Sequence, residues 1–112
     1  MAQQQPQPQQ DCIQACLDCT IACETCVNCC IGAGPELADC LRLCIECGDL
    51  CQLTGRVMAR NSANTQRWAE FCAAICEACA AECDKHDMEE CRRCAEACRR
   101  CAEECRRVAQ AA

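Results

Sequence analysis

The chain has 112 residues, of which 20 are Cys, and its formal net charge is −6. This cysteine content excludes an ordinary globular composition, the acidic balance argues against nucleic acid as a partner, and a single His argues against a His-based zinc site or catalytic relay. Trp68 and Phe71 are the only aromatic residues, which excludes a core of large rings and a base-stacking surface.

The first ten residues are rich in Gln and Pro, and we predict that residues 1–10 are disordered and precede one domain over residues 11–112. The segment lacks the basic start and apolar stretch of a secretory signal, and no apolar run approaches the length needed to span a bilayer. If the chain is complete, we expect a cytoplasmic location without membrane contact, where many cysteines favour metal binding over disulfides.

The cysteines fall into four segments, and within each the spacing alternates between three and four residues. This spacing places thiols on one stripe of a helix, as at the a and d positions that face a bundle axis, whereas a strand would need a spacing of two. The first segment is Cys12–Cys30, with Asp11 as its expected cap, and the second is Cys40–Cys51. Gly32–Pro35 is predicted to separate the two helices.

The third segment is Cys72–Cys83 and the fourth is Cys91–Cys105. We expect the second helix to end near Met58, Asn61–Asn64 to provide turn and cap residues for the third, and Asp87–Glu90 to form a capping box that opens the fourth. Four helices with short connections predict an all-α fold, an antiparallel up-down-up-down four-helix bundle with a Cys-lined core.

Bulky apolar residues lie beside the cysteine stripe rather than on it. One interpretation is that they pack between the helices, and the other, which we favour, is that part of them forms an exposed face that buries against another subunit in an oligomer. These residues are Ile13, Leu17, Ile21, Leu41, Leu43, Ile45, Leu50, Leu53, Val57, Phe71 and Ile75.

The thiol stripe has three interpretations. Protonated Cys is a small hydrophobe that can line a core, but Leu or Ala would pack better without the reactivity. Disulfides within a helix are blocked, because side chains four residues apart have Cβ atoms about 5–6 Å apart, beyond the usual disulfide reach of about 4.5 Å. The same separation suits a soft metal ion held between two sulfurs.

Charge favours Cu(I) among the soft ions that bind thiolates. Zn²⁺ held by four thiolates leaves a net negative charge at each site, and burying such charge along one axis is very costly. Cu(I) replaces one thiol proton by one positive charge, and we expect about one Cu(I) per Cys. The candidate metal ligands are Cys12, Cys16, Cys19, Cys23, Cys26, Cys29, Cys30, Cys40, Cys44, Cys47, Cys51, Cys72, Cys76, Cys79, Cys83, Cys91, Cys94, Cys98, Cys101 and Cys105.

Two segments carry a family resemblance. The run Cys76–Asp87 (CEACAAECDKHD), followed by a fourth helix rich in CxxC and CxxxC, is similar to the bacterial copper storage proteins, as is Cys12–Cys19 (CIQACLDC). The resemblance extends over nearly everything after residue 11. It implies a four-helix bundle that stores many Cu(I) ions along its axis, a homotetramer, and the cytosolic branch of the family.

The resemblance also favours His86 as an exposed imidazole ligand that receives Cu(I) at the turn before the fourth helix and passes it inward. Met88 is a possible soft co-ligand beside it, and Met58, on the stripe at the opposite end, is interpreted first as packing and second as a thioether ligand. Relatives can carry more than one His in this turn, whereas this chain has one. Cys29 lies off the main stripe, and its role is open.

Two other functions stay open at this point. One is a general thiolate buffer for zinc, and the other is a redox sensor that forms disulfides. Catalysis has no support, because no acid–base pair marks a defined site, and Glu70, Glu77, Glu96 and Glu103 are typical of a solvated outer face.

Overall fold

A computed structural model describes residues 5–111. Its four helices are α1 (Gln7–Cys30), α2 (Ala38–Ala59), α3 (Thr65–Cys83) and α4 (Glu89–Gln110), with a single 3₁₀ turn, Pro35–Leu37, before α2. Each helix packs against two others, α1 against α2 and α4, and α3 against α2 and α4. The rod measures 52 × 23 × 19 Å. The prediction of an up-down-up-down four-helix bundle with a Cys-lined core is confirmed.

Helix α1 begins four residues earlier than the expected cap. Pro6 precedes the first helical residue and Pro8 lies in the first turn, where the missing N–H of Pro costs no hydrogen bond. Asp11 is not a cap, because its carboxylate lies inside the helix and accepts a hydrogen bond from Gln7 Nε2 at 2.8 Å. Part of the predicted disordered segment, residues 1–4, lies outside the described residues, and the domain boundary stays a prediction.

The connection between α1 and α2 lies where the Gly and Pro residues predicted it. The predicted side-chain caps of the helices do not form. Gly32 and Gly34 have φ angles of +75° and +112°, which lets the chain leave α1 and enter the Pro35 turn. The capping box before α4 is wrong, because Met88 takes the cap position without a side-chain hydrogen bond. The Asp87 carboxylate instead accepts a hydrogen bond from Arg92 Nη1 at 2.6 Å.

Helix α3 also starts without a side-chain cap. Asn64 occupies the cap position, and its backbone N–H donates to Ser62 Oγ at 3.0 Å. Asn61 takes the left-handed conformation, with φ of +58°, which Asn tolerates better than most residues. The segment Asn61–Asn64 therefore provides the predicted turn and the residue at the cap position, but Asn64 makes no side-chain capping hydrogen bond.

Small residues beside the thiol stripe let the helices approach closely. Ala15, Ala73, Ala95 and Ala102 are buried. At Gly48 a Cβ atom would lie 3.3 Å from Cys23 Cβ, closer than most side chains tolerate. This close approach of α1 and α2 brings their thiols within reach of one another.

Some of the bulky apolar side chains point away from the bundle. Leu50 and Val57 are buried, whereas 66% of Ile21 and 55% of Phe71 remain exposed. Leu17 on α1 and Ile45 on α2 are also exposed. In the part of the chain that the structure describes, no helix is both long and apolar enough to cross a bilayer.

Candidate metal centre

The four helices direct their cysteine stripes at a common axis. Every Cys except Cys29 is buried, and all twenty are free thiols. Because the spacing of three and four residues repeats on each helix, the antiparallel arrangement brings one thiol from each helix to similar heights. We call the buried set the thiol core: Cys12, Cys16, Cys19, Cys23, Cys26, Cys30, Cys40, Cys44, Cys47, Cys51, Cys72, Cys76, Cys79, Cys83, Cys91, Cys94, Cys98, Cys101 and Cys105.

Neighbouring sulfurs in the thiol core are close but not bonded. Between helices, the Sγ atoms of Cys51 and Cys76 are 3.5 Å apart and those of Cys26 and Cys91 are 3.8 Å apart. Within a helix, the Sγ atoms of Cys40 and Cys44 are 4.0 Å apart. A disulfide needs about 2.0 Å, so these separations leave room for an ion between two sulfurs.

The sulfurs also form overlapping groups of four, each with all four Sγ atoms within 4.8 Å of one another. Cys19, Cys23, Cys47, Cys94 and Cys98 each belong to more than one group, so a bound ion in one group would share a sulfur with the next. The arrangement is a continuous column rather than a set of separate sites. Among these groups are Cys16/Cys72/Cys101/Cys105, Cys19/Cys47/Cys51/Cys76, Cys19/Cys23/Cys47/Cys98, Cys23/Cys79/Cys94/Cys98 and Cys26/Cys44/Cys83/Cys94.

Burial keeps thiols near one end of the column protonated at neutral pH. It raises the pKa of Cys30 to about 11 and that of Cys91 to about 12, and it also raises the pKa of Cys40. The physical cause is that a thiolate is poorly solvated in an apolar interior. A cation that binds here must therefore displace protons, and a monovalent cation does so without changing the charge of the core.

The α3–α4 turn places His86 at the end of the column, three residues after Cys83. The ring is less exposed than we expected, since only 14% of its side chain is accessible. Its Nε2 lies 2.9 Å from Glu82 Oε2. The hydrogen bond from His86 lowers the pKa of the Glu82 carboxyl. Sequence reasoning missed Glu82, although its position four residues before His86 on α3 was a signal.

Two other predicted residues lie at this end. Met88 is partly buried and packs against the core. Cys29 is half-buried and lies outside the thiol core. Burial, and then the neighbouring Glu90 carboxylate, raise the pKa of Cys29. The structure therefore gathers His86 and Met88 beside the column and leaves Cys29 at its edge.

The opposite end is closed by residues other than Cys. Met58 continues the α2 stripe and is completely buried, and its backbone carbonyl accepts a hydrogen bond from the Gln5 amide. Ala69 on α3 and Val108 on α4 are buried at the corresponding stripe positions. The column of sulfurs thus ends one turn inside the bundle here.

The sequence and the fold are similar to those of known proteins. A family model described as copper storage protein matches residues 5–110. An uncharacterised cysteine-rich protein of Bacillus subtilis, YhjQ, is 43% identical over 69 residues, which span 60% of this chain and 64% of that protein, a little under two thirds of its length.

Several solved structures match over almost the whole chain, including two copper storage proteins. Cu(I)-bound copper storage protein BsCsp3 from Bacillus subtilis has a TM-score of 0.87 and 43% identity, and the match covers 92% of this chain and 99% of that one. A cytosolic copper storage protein from Streptomyces lividans, described during copper loading with five coppers, has a TM-score of 0.88 and 34% identity over 94% of each chain.

Proposed function

This chain belongs to the copper storage protein family, and we propose that it stores many Cu(I) ions through the thiolates of its core. The observation that carries the proposal is the unbroken column of free, buried thiols, with neighbouring Sγ atoms such as those of Cys23 and Cys94 only 3.7 Å apart. Thiolates prefer soft ions such as Cu(I), and sulfurs such as those of Cys44 and Cys51 have neighbours on both α3 and α4.

The electrical balance of the column supports a monovalent ion. Each Cu(I) takes the place of one thiol proton, so the buried charge stays the same however many ions enter. The capacity we propose is about one Cu(I) per Cys, close to 20 per chain. The proposed ligands are the thiol core together with Cys29, which is half-buried at its edge.

We propose that copper enters at the end that carries His86. Cys83, the last residue of α3, lies three residues before His86 at that end, whereas Met58, Ala69 and Val108 close the other end. The hydrogen bond to Glu82 occupies Nε2 and holds the ring in place, which leaves Nδ1 to bind copper. Met88 is a proposed soft co-ligand beside His86, and Met58 is a proposed thioether ligand at the closed end.

The wider setting of the protein is also part of the proposal. The exposed apolar residues Leu17, Ile21, Ile45 and Leu53 support assembly with further copies, and the sequence resemblance suggests a homotetramer. The Streptomyces lividans neighbour is described as cytosolic, which supports a cytoplasmic location here. We propose a non-enzymatic store without a nucleic acid or membrane partner.

A Cu(I) titration of the reduced protein tests the proposed function. With a competing Cu(I) chelator as the indicator, the chain should withdraw close to 20 equivalents before free chelator complex accumulates. Far-UV circular dichroism should stay helical throughout. Saturation at one or two ions per chain would instead identify a chaperone-like carrier.

The variant His86→Gln tests the proposed uptake end. It should slow the initial transfer of Cu(I) from a chelator roughly tenfold, which corresponds to about 1.4 kcal/mol on the barrier, and leave the final capacity unchanged. Stopped-flow absorbance measures the rate. The control is Asp87→Asn in the same turn, whose side chain is fully exposed and which should load like the wild type. Equal rates for His86→Gln and the wild type would rule out the role.

A further inference from the structure

One hydroxyl group in the core has no hydrogen-bond partner. Thr54 is completely buried, and within the described residues its Oγ1 atom makes no hydrogen bond. Buried hydroxyls are normally paired, and an unpaired one destabilises the fold. Thr54 lies on the same stripe of α2 as the thiols, and this position can explain why an unpaired hydroxyl is present.

Thr54 lies on the stripe of α2, three residues after Cys51 and four before Met58. Cys51 Sγ is 3.7 Å from Cys72 Sγ and 3.9 Å from Cys101 Sγ. The next residue, Gly55, lies against α1, since a Cβ atom there would be 3.5 Å from Cys16 Cβ. The hydroxyl is therefore one turn below the last complete layer of thiols.

The thiols that lie against Cys51 and Gly55, the neighbours of Thr54 on α2, belong to one compact set. Cys16, Cys72, Cys101 and Cys105 have Sγ atoms within 4.8 Å of one another, and Cys12 Sγ is 3.5 Å from Cys105 Sγ. We call these five the terminal thiols. They come from α1, α3 and α4. At this level α2 contributes Thr54, where the other layers have a Cys.

Copper binding changes how well these sulfurs accept a hydrogen bond. The sulfur of a thiol is a weak acceptor. When Cu(I) replaces the proton, the sulfur becomes anionic, and hydrogen bonds to charged acceptors are shorter and about twice as strong as neutral ones. A donor without a partner in the metal-free state would then gain one.

We propose that the Thr54 hydroxyl donates a hydrogen bond to a copper-bound sulfur of the terminal thiols and so tightens Cu(I) binding at the closed end of the column. This inference rests on the proposed storage function. Thr54 is a positioning residue that acts on the sulfur and not on copper itself. It lowers the stability of the empty bundle and raises that of the loaded one, so its two effects have opposite signs.

The isosteric variant Thr54→Val separates the two effects. Without copper, the variant should unfold at a higher urea concentration than the wild type, because the unpaired hydroxyl is gone. In equilibrium competition with a Cu(I) chelator, a subset of its ions should bind about tenfold more weakly, as expected for the loss of one hydrogen bond to a charged group. The rest of the competition curve should match the wild type.

Two further variants exclude an effect of packing. Thr65→Val removes a buried hydroxyl at the same end that already donates to the Ser62 carbonyl at 2.7 Å, so it should lower the urea midpoint and leave copper binding unchanged. Thr54→Ser keeps the hydroxyl and should keep the wild-type competition curve.

The inference and the storage function fail in different ways. If the wild type fills to about 20 ions and Thr54→Val gives the same competition curve, the inference is wrong and storage stands. If Thr54→Ser weakens binding as much as Thr54→Val, the cause is packing and the inference is also wrong. If the wild type itself takes up only one or two ions, both are wrong.

Discussion

Replacing the four thiols of a middle layer, Cys19, Cys47, Cys76 and Cys98, by Ala is expected to lower the copper capacity by at least four ions. Cys47 Sγ lies 3.8 Å from Cys76 Sγ and 3.9 Å from Cys98 Sγ, and Cys19 Sγ is 3.6 Å from Cys98 Sγ. Removing the layer divides the column into two shorter stacks. Because neighbouring groups share these sulfurs, ions above and below also lose ligands.

The capacity is measured as copper per chain after gel filtration from excess Cu(I), with circular dichroism to show that the bundle stays helical. Ala is chosen over Ser, because a buried hydroxyl without a partner would add its own destabilisation. Cys29→Ala is the matched control, since Cys29 lies outside the thiol core, and it should cost at most one ion. A four-Ala variant with wild-type capacity would show that the column is not the store.

Competition between metals is expected to have the second largest effect, with Cu(I) displacing Zn²⁺ completely. A four-thiolate zinc site carries a net charge of minus two, and about five such sites would be needed to use all the sulfurs. The groups overlap at Cys19 and Cys23, so zinc sites in adjacent groups would lie side by side. Buried charge of this size is very costly, and we expect the protein to take up only a few zinc ions.

The experiment loads reduced protein anaerobically with excess Zn²⁺ and then adds Cu(I) as a chelator complex. Metal analysis of the desalted protein should give a full complement of copper and almost no zinc. Retention of zinc at four thiols per ion in the presence of Cu(I) would instead support a general thiolate buffer.

The sequence predicted the helices and the identity of the core because both depend on one periodicity. A spacing of three and four residues places Cys40, Cys44, Cys47 and Cys51 on one face of α2, whatever the surrounding structure. Once each helix has one thiol face, a bundle that buries all four faces follows. The family resemblance drawn from Cys76–Asp87 is also confirmed, since the copper storage protein model matches residues 5–110.

The caps could not be predicted because short polar side chains choose between competing partners. The Asp87 carboxylate is able to accept a hydrogen bond from a backbone N–H, but it accepts one from the charged guanidinium of Arg92 instead. Asp11 is similarly engaged by Gln7. The local sequence shows which hydrogen-bond partners are available to such a side chain. The backbone geometry determines which of them it uses.

The pairing of sulfurs and the state of Thr54 depend on how far each helix is shifted along its neighbours. The sequence gives the face of a helix but not this shift. It therefore could not show that Cys51 meets Cys76 at 3.5 Å, or that the Thr54 hydroxyl lies where no described residue accepts it. The hydrogen bond between His86 and Glu82 is different, because it is local and its spacing of four residues was visible in the sequence.

Proton release during copper loading tests the central claim most directly. A weakly buffered, metal-free sample is titrated with Cu(I) from a proton-neutral donor, and the base needed to hold the pH is recorded together with the copper bound. We predict one proton for each ion, in a straight line up to about 20 ions. Proton release that ends after the first few ions, while further copper still binds, would contradict an exchange of cation for proton inside the column.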